Sequence, residues 1–210
     1  MIRKNLRTII LTSVVTLLPI IAGLALWADL PAELPIHWNA AGEVDGYCSK
    51  VMAVIGMPLL LLCIHWLLIF ALQFDPKRQG QSDKMITLSL WITPALSVIL
   101  SAVTMVVGMG TDVPVGAIVS VFLGLTLTVI GNYMPKCRQS YTVGIKLPWT
   151  LNSEENWNRT HRMAGWLWMF GGVMIMVLGA FAPIIATLPF VMAMTLAPII
   201  YSFVLYKKGI

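Results

Sequence analysis

Charged side chains in this chain fall into short clusters, and long runs between them carry none. The charge-free runs are Thr8–Ala28, Val51–Phe74, Met85–Thr111, Val113–Pro135 and Met163–Tyr206. About 20 apolar residues of helix cross a bilayer's hydrocarbon core. Each of the first four runs predicts one span. The last is long enough for two, and Pro183 and Pro189 disfavour continuous helix in its middle, so it divides at about Ala182–Leu188. The predicted helices are 8–28, 51–74, 85–111, 113–135, 163–182 and 188–206, with a loop at 29–50 and another at 136–162. The reading is an all-α integral membrane protein, a six-transmembrane-helix bundle forming one membrane domain over 1–210.

Composition agrees. The chain is 58% hydrophobic and 11% charged, where soluble domains carry about 25% charged residues. The first run follows Arg3, Lys4 and Arg7. It exceeds the usual signal-peptide core of about 7–15 residues and lacks an A-x-A cleavage site, so it reads as a retained helix.

Of the 14 basic residues, 13 fall at the two ends and in the intervals after the second and fourth helices; only Lys50 falls in an opposite interval. Positive charge marks the cytoplasmic side. Both termini and the 136–162 loop are therefore expected in the cytoplasm, with 29–50 outside. The net charge of +5 is a topology signal and implies no direct nucleic-acid partner. Cys48, Cys63 and Cys137 fall at the outer side, mid-helix and the inner face, so no disulfide is expected.

Lipid gives helices little hydrophobic reason to associate, and small residues let them approach closely. Ser89, Thr93, Ser97 and Ser101 beside Pro94 form one stripe; Gly116, Ser120 and Gly124 form a second; Gly165, Gly172 and Gly179 form a third. These predict packing seams. His65 is the one ionisable residue midway along a predicted span. It carries the alternative reading of a small transporter or exporter, while a neutral imidazole bonded to a neighbouring Ser or carbonyl is the structural one.

In the outer interval, Pro31 and Pro35 favour extended backbone, Ile36, His37 and Trp38 suit a short strand, and Asn39, Gly42, Asp45 and Gly46 are turn formers. Asp45-Gly46 is the strongest turn signal, and a small hairpin-like loop is predicted. Trp38 and Tyr47 suit the interface. His37, Glu43 and Asp45 have metal-ligand chemistry without a recognised spacing, so no metal and no cofactor is assigned.

In the inner interval, Asn152 is a candidate N-cap with Glu155 reaching back, and Glu155–Arg159 is an i,i+4 ion pair. Trp157, His161, Gly165 and Trp168 share the opposite face. The result is an amphipathic cytoplasmic helix leading into the fifth span. Glu154-Glu155-x-x-x-Arg159 is similar to the glutamate-pair signature of CAAX-type intramembrane proteases. A water-activating site needs further ligands or bases. No histidine follows His161, and no Gly-x-Ser-x-Gly occurs. No catalytic residue is assigned, and the protein is not read as an enzyme.

Two segments carry a family resemblance. "LPAELPIHWNAAGEVDGYCSK" resembles an outer-loop module of many bacterial multi-pass proteins, and "YTVGIKLPWTLNSEENWNRTHRMAGWLW" resembles the inner segment of the SdpI family. That family includes an immunity protein against a secreted sporulation-delaying toxin. The resemblance implies a plasma-membrane protein that protects its host from a membrane-active antimicrobial peptide and recruits a transcriptional repressor to the membrane. It implies toxin-side roles for His37, Trp38, Asn39, Gly42, Asp45, Gly46 and Tyr47. Tyr141, Gly144, Lys146, Pro148, Trp149, Glu155, Trp157, Thr160, His161 and Arg162 become inner-face partner or scaffold residues. The partners it implies are membrane lipids, an extracellular peptide toxin and a cytoplasmic repressor.

Overall fold

The computed structural model describes residues 1–77, 83–182 and 184–210. Arg78 and Pro183, used above for topology and for dividing the last run, lie outside the described residues. In chain order the elements are α1 (Ile2–Ala25), β1 (Glu33–Trp38), β2 (Val44–Ser49), α2 (Met57–Phe74, entered through a wide π turn at Met52–Gly56), α3 (Asp83–Gly108), α4 (Val115–Tyr133), α5 (Pro148–Asn152), α6 (Glu154–Phe181) and α7 (Leu188–Lys207). Among the described residues six helices are long and apolar enough to cross a membrane. Their large exposed side chains, including Ile21, Leu67, Phe70, Phe170 and Phe181, are the kind that lipid solvates.

Most boundaries shift by a few residues, and two starts differ in an instructive way. α1 begins at Ile2 rather than Thr8, because Arg3, Lys4 and Arg7 are good helix formers at a water-facing end. The amphipathic segment and the fifth span are one unbroken helix, α6, capped by Ser153 rather than Asn152. The Ser153 hydroxyl accepts from the Asn156 amide, while Asn152 closes α5. Glu155 is thus at the second helical position; its ion pair with Arg159 forms as expected.

The chain forms two compact units, Met1–Gln73 with Thr87–Val115, and Phe74–Ile86 with Gly116–Ile210. In the first, the hairpin β1–β2 is tied down by Leu34, which is fully buried with Leu30, Ala53, Val54 and Met105. A polar chain runs through this unit. The Thr12 hydroxyl lies 3.0 Å from His65 Nε2, Thr16 Oγ1 donates to the Thr12 carbonyl, and Ser97 Oγ donates to the Thr16 carbonyl. All four residues are buried. The α3 stripe therefore faces protein, as do Thr12 and Thr16 of α1.

In the second unit, α4 and α6 run antiparallel across a seam of small residues. Gly179 meets Ser120, Gly172 meets the Gly124 carbonyl and the Thr128 backbone, and Gly165 meets the Gly131 carbonyl. At Gly172 and Gly165 the backbones touch, and at Gly179 the Ser120 side chain fills the space, so a Cβ would collide at each. α7 packs along α6, where the Trp168 indole donates to the Met194 carbonyl at 2.8 Å.

A Cβ at Gly172 would sit 2.8 Å from the Thr128 backbone nitrogen. We expect Gly172→Val to force the helices apart and to destabilise the protein by about 1–3 kcal/mol, read as a lower unfolding temperature in detergent. An unchanged temperature would show that the seam carries no stability.

Candidate functional site

Two surfaces hold the sequence-predicted site residues, one in each unit. The first is the hairpin. Its strands pair antiparallel, with Pro35 opposite Tyr47, His37 opposite Gly46 and Trp38 opposite Val44, and the register slips around His37. The turn lies at Asn39–Glu43, not at Asp45-Gly46. Asn39 Oδ1 accepts from the Ala41 and Glu43 amides, and Gly42 takes φ +85°. Gly46 is instead needed inside β2, because a Cβ there would lie 2.9 Å from His37 Cβ. His37 Nδ1 bonds the Asp45 carboxylate, with both side chains largely exposed, so the pair adds little stability. His37, Gly42, Asp45 and Tyr47 are exposed; Trp38, Asn39 and Gly46 are half-buried. No cluster of three or more His, Cys, Asp or Glu placed to hold a metal occurs among the described residues.

The hairpin's base is held by Lys50, whose ammonium donates to the Trp27 carbonyl at 2.9 Å and lies over the Trp27 ring. Trp38 and Ile36, with Met57, Leu61, Leu100, Ser101 and Thr104, line a small cavity of about 40 Å³ beneath the sheet.

The second surface is a folded polar layer built from the end of α2, the 136–147 loop, α5 and the first turns of α6. Its anchor was not singled out in the sequence. Asp75 is buried and accepts from the Ser140 hydroxyl at 2.6 Å, the Thr142 amide at 2.9 Å and the Lys77 amide at 2.8 Å. Burial alone raises a carboxyl pKa. Here the hydrogen bonds from Ser140, Lys77 and Thr142 outweigh it and hold Asp75 below its usual range. Lys77 donates to Gln139 Oε1 and the Leu151 carbonyl and lies over the Tyr141 ring. The only sequence hint was an acidic residue directly after an apolar run, with no sign of its partners 65 residues on.

α6 supplies the layer's core. The Trp157 indole donates to the Cys137 carbonyl at 2.7 Å and stacks on His161, ring centroids 3.9 Å apart. His161 Nε2 accepts from the Ile145 amide, so Nδ1 carries the proton and donates to the Trp157 carbonyl. Gly144 crosses these rings at φ +119°, where a Cβ would lie 2.6 Å from the indole. The Thr150 hydroxyl accepts from the Leu147 amide and donates to the Ile145 carbonyl. Asn156, also missed, is buried and donates to the Ser202 carbonyl. Trp157, Thr160 and His161 are thus buried framework, and Trp149 is half-buried against Ser202, Phe203 and Tyr206. Tyr141, Lys146, Pro148, Glu155 and Arg162 are exposed. His65 belongs to neither surface; it is bonded to Thr12, and its Nδ1 has no partner among the described residues.

The layer coincides with a family signature. The model of the SdpI/YfhL protein family matches residues 136–202, and that of a domain of unknown function matches residues 14–62, which enclose the hairpin. The chain is 26% identical over 209 residues to Immunity protein SdpI of Bacillus subtilis (strain 168), covering 98% of this chain and 97% of that one. The 136–202 segment is thus similar to the SdpI/YfhL family model, and the chain as a whole to one immunity protein of that name. No solved structure matches the chain. The chain is a multi-pass bacterial membrane protein, and the matched segment runs from the 136–147 loop through α5 and α6 into most of α7.

Asp75 is buried and ties the α2 end to the loop through three donors, so Asp75→Asn should cost about 1–3 kcal/mol. Its folded pKa is depressed, so its contribution is complete above the unfolded pKa of about 4 and is lost as pH falls through the lower folded value. We expect hydrogen-exchange protection at Thr142 and Val143, corrected for intrinsic rates, to fall in acid below that point. In Asp75→Asn it should already be weak at neutral pH. Equal protection in both proteins would remove Asp75 as the anchor.

Proposed function

We propose that the protein is a membrane immunity protein that shields its bacterium from a membrane-active antimicrobial peptide. The observation that carries this reading is the end-to-end similarity to Immunity protein SdpI, with 98% of the chain aligned. Its mode is binding rather than catalysis. The distribution of basic residues supports an extracytoplasmic hairpin and a cytoplasmic polar layer, with both termini inside. The hairpin offers the peptide His37, Trp38, Asn39, Gly42, Asp45, Gly46 and Tyr47. Trp38 and Tyr47 supply rigid aromatic area at low entropic cost, and the exposed strand edges supply backbone groups for an extended peptide. On the inner side Tyr141, Lys146, Pro148, Glu155 and Arg162 face outward on the framework of Gly144, Trp149, Trp157, Thr160 and His161. They form the surface for a cytoplasmic repressor held at the membrane. Coupling the two faces requires the peptide to bind two conformations with different affinity.

The test is protection. Expressing the protein in a sensitive host should raise survival against some members of a panel of membrane-active peptides. Trp38→Ala combined with Tyr47→Ala should weaken that protection by about tenfold at equal membrane levels. Unchanged sensitivity across the panel would sink the immunity reading. Full protection by the double variant would move the binding surface off the hairpin.

A further inference from the structure

The first turns of α6 carry a row of side chains spaced four apart, Glu154, Asn158, Arg162 and Trp166, which share one helix face. With Glu155, Arg159 and Tyr201 of α7 they line an open cleft of about 890 Å³. Its charges are not equivalent. Glu155 and Arg159 neutralise each other. Glu154 and Arg162 are both exposed, and neither has an ion pair or side-chain hydrogen bond among the described residues. They lie two turns apart, about 12 Å along the axis. The cleft therefore presents one free negative and one free positive group, with an amide between them and no net charge.

The order along the helix gives the depth. Arg162 is the last charged residue before the charge-free run Met163–Tyr206. Trp166 and Phe170 continue the same row, exposed and stacked with centroids 5.8 Å apart. From water toward hydrocarbon the row reads carboxylate, amide, guanidinium, indole, phenyl. Tryptophan prefers the level where headgroups meet acyl chains. A phospholipid with an amine headgroup has the matching order: ammonium outermost, then phosphate, glycerol esters and acyl chains.

We propose that this cleft is a binding site for an amine-bearing zwitterionic phospholipid, its phosphate on Arg162 and its ammonium on Glu154. The guanidinium fork suits a phosphate's paired oxygens. A primary ammonium donates charge-assisted hydrogen bonds to the Glu154 carboxylate, which a quaternary amine cannot do and an uncharged glycerol headgroup does only weakly. Asn158 donates to a phosphate oxygen from between them. Trp166 and Tyr201 pack on the glycerol and the first chain carbons. The site shares Arg162 with the proposed repressor surface but does not rest on the immunity reading, since it concerns how this end of α6 is seated in its bilayer.

The probes are phosphatidylethanolamine, phosphatidylcholine and phosphatidylglycerol of identical acyl chains, added to the purified full chain in detergent. Retention is read by native mass spectrometry and stabilisation by thermal unfolding. Phosphatidylethanolamine should be retained about tenfold better than either of the others. Glu154→Gln should erase its advantage over phosphatidylcholine while both still bind. Arg162→Gln should weaken all three. Both side chains are exposed and unpaired, so both variants should fold, and the wild-type ranking is decisive alone. Retention of phosphatidylglycerol above phosphatidylethanolamine would reduce the cleft to a basic patch. Equal retention of all three, or an ethanolamine preference surviving both substitutions, would equally overturn the site.

Discussion

Helices dissolved in hydrocarbon gain little by hiding apolar surface from one another, because lipid tails are as apolar as leucine. What holds such helices together is close approach and polar contact, and both are built into this chain at particular residues. In one unit the approach is made at Gly165, Gly172 and Gly179 against Gly131, Gly124 and Ser120. In the other, Thr12, Thr16, His65 and Ser97 place hydroxyls and an imidazole where each meets a backbone or side-chain partner. Many large apolar side chains are turned outward, and small and polar ones share the interior with a limited set of buried apolar residues such as Ile9, Leu34, Ile69 and Ile175.

The polar layer obeys the opposite rule. There the loop lacks regular structure over most of 137–147, so its backbone groups need side-chain partners. Asp75, Ser140, Thr150, Trp157 and His161 supply them. Each uses a group whose hydrogen-bonding capacity fits the gap: a carboxylate that accepts three donors, an indole that only donates, and an imidazole that does one of each. This makes the layer a small folded body rather than a connecting loop, and it explains why a family signature begins there.

The six spans were legible because a charge is costly in hydrocarbon, so gaps between charges mark helices directly. The Glu155–Arg159 pair and the buried face of Trp157, His161 and Gly165 followed from helical period alone. Turn chemistry was less reliable. Asp45-Gly46 has strong turn propensity, yet Gly46 serves close passage across His37, and Asn39 closes the turn through its own side chain. Ser153 displaced Asn152 as the cap because α5 ends between them. Asp75 was invisible because nothing local tells a carboxylate that its donors lie far along the chain. The Thr8–Thr12–Thr16 spacing was visible and passed over, since threonines in an apolar helix look unremarkable until His65 is seen opposite.

One consequence follows from α6 being a single helix. It carries Trp157 and His161 near its capped start and the glycines of the α4 seam along its length, with no proline between. At about 42 Å it is longer than the hydrocarbon is thick. Its start is built into the polar layer and the glycines along its length into the seam. Because one unbroken helix joins the seam to the polar layer, any tilt of α6 is shared by both.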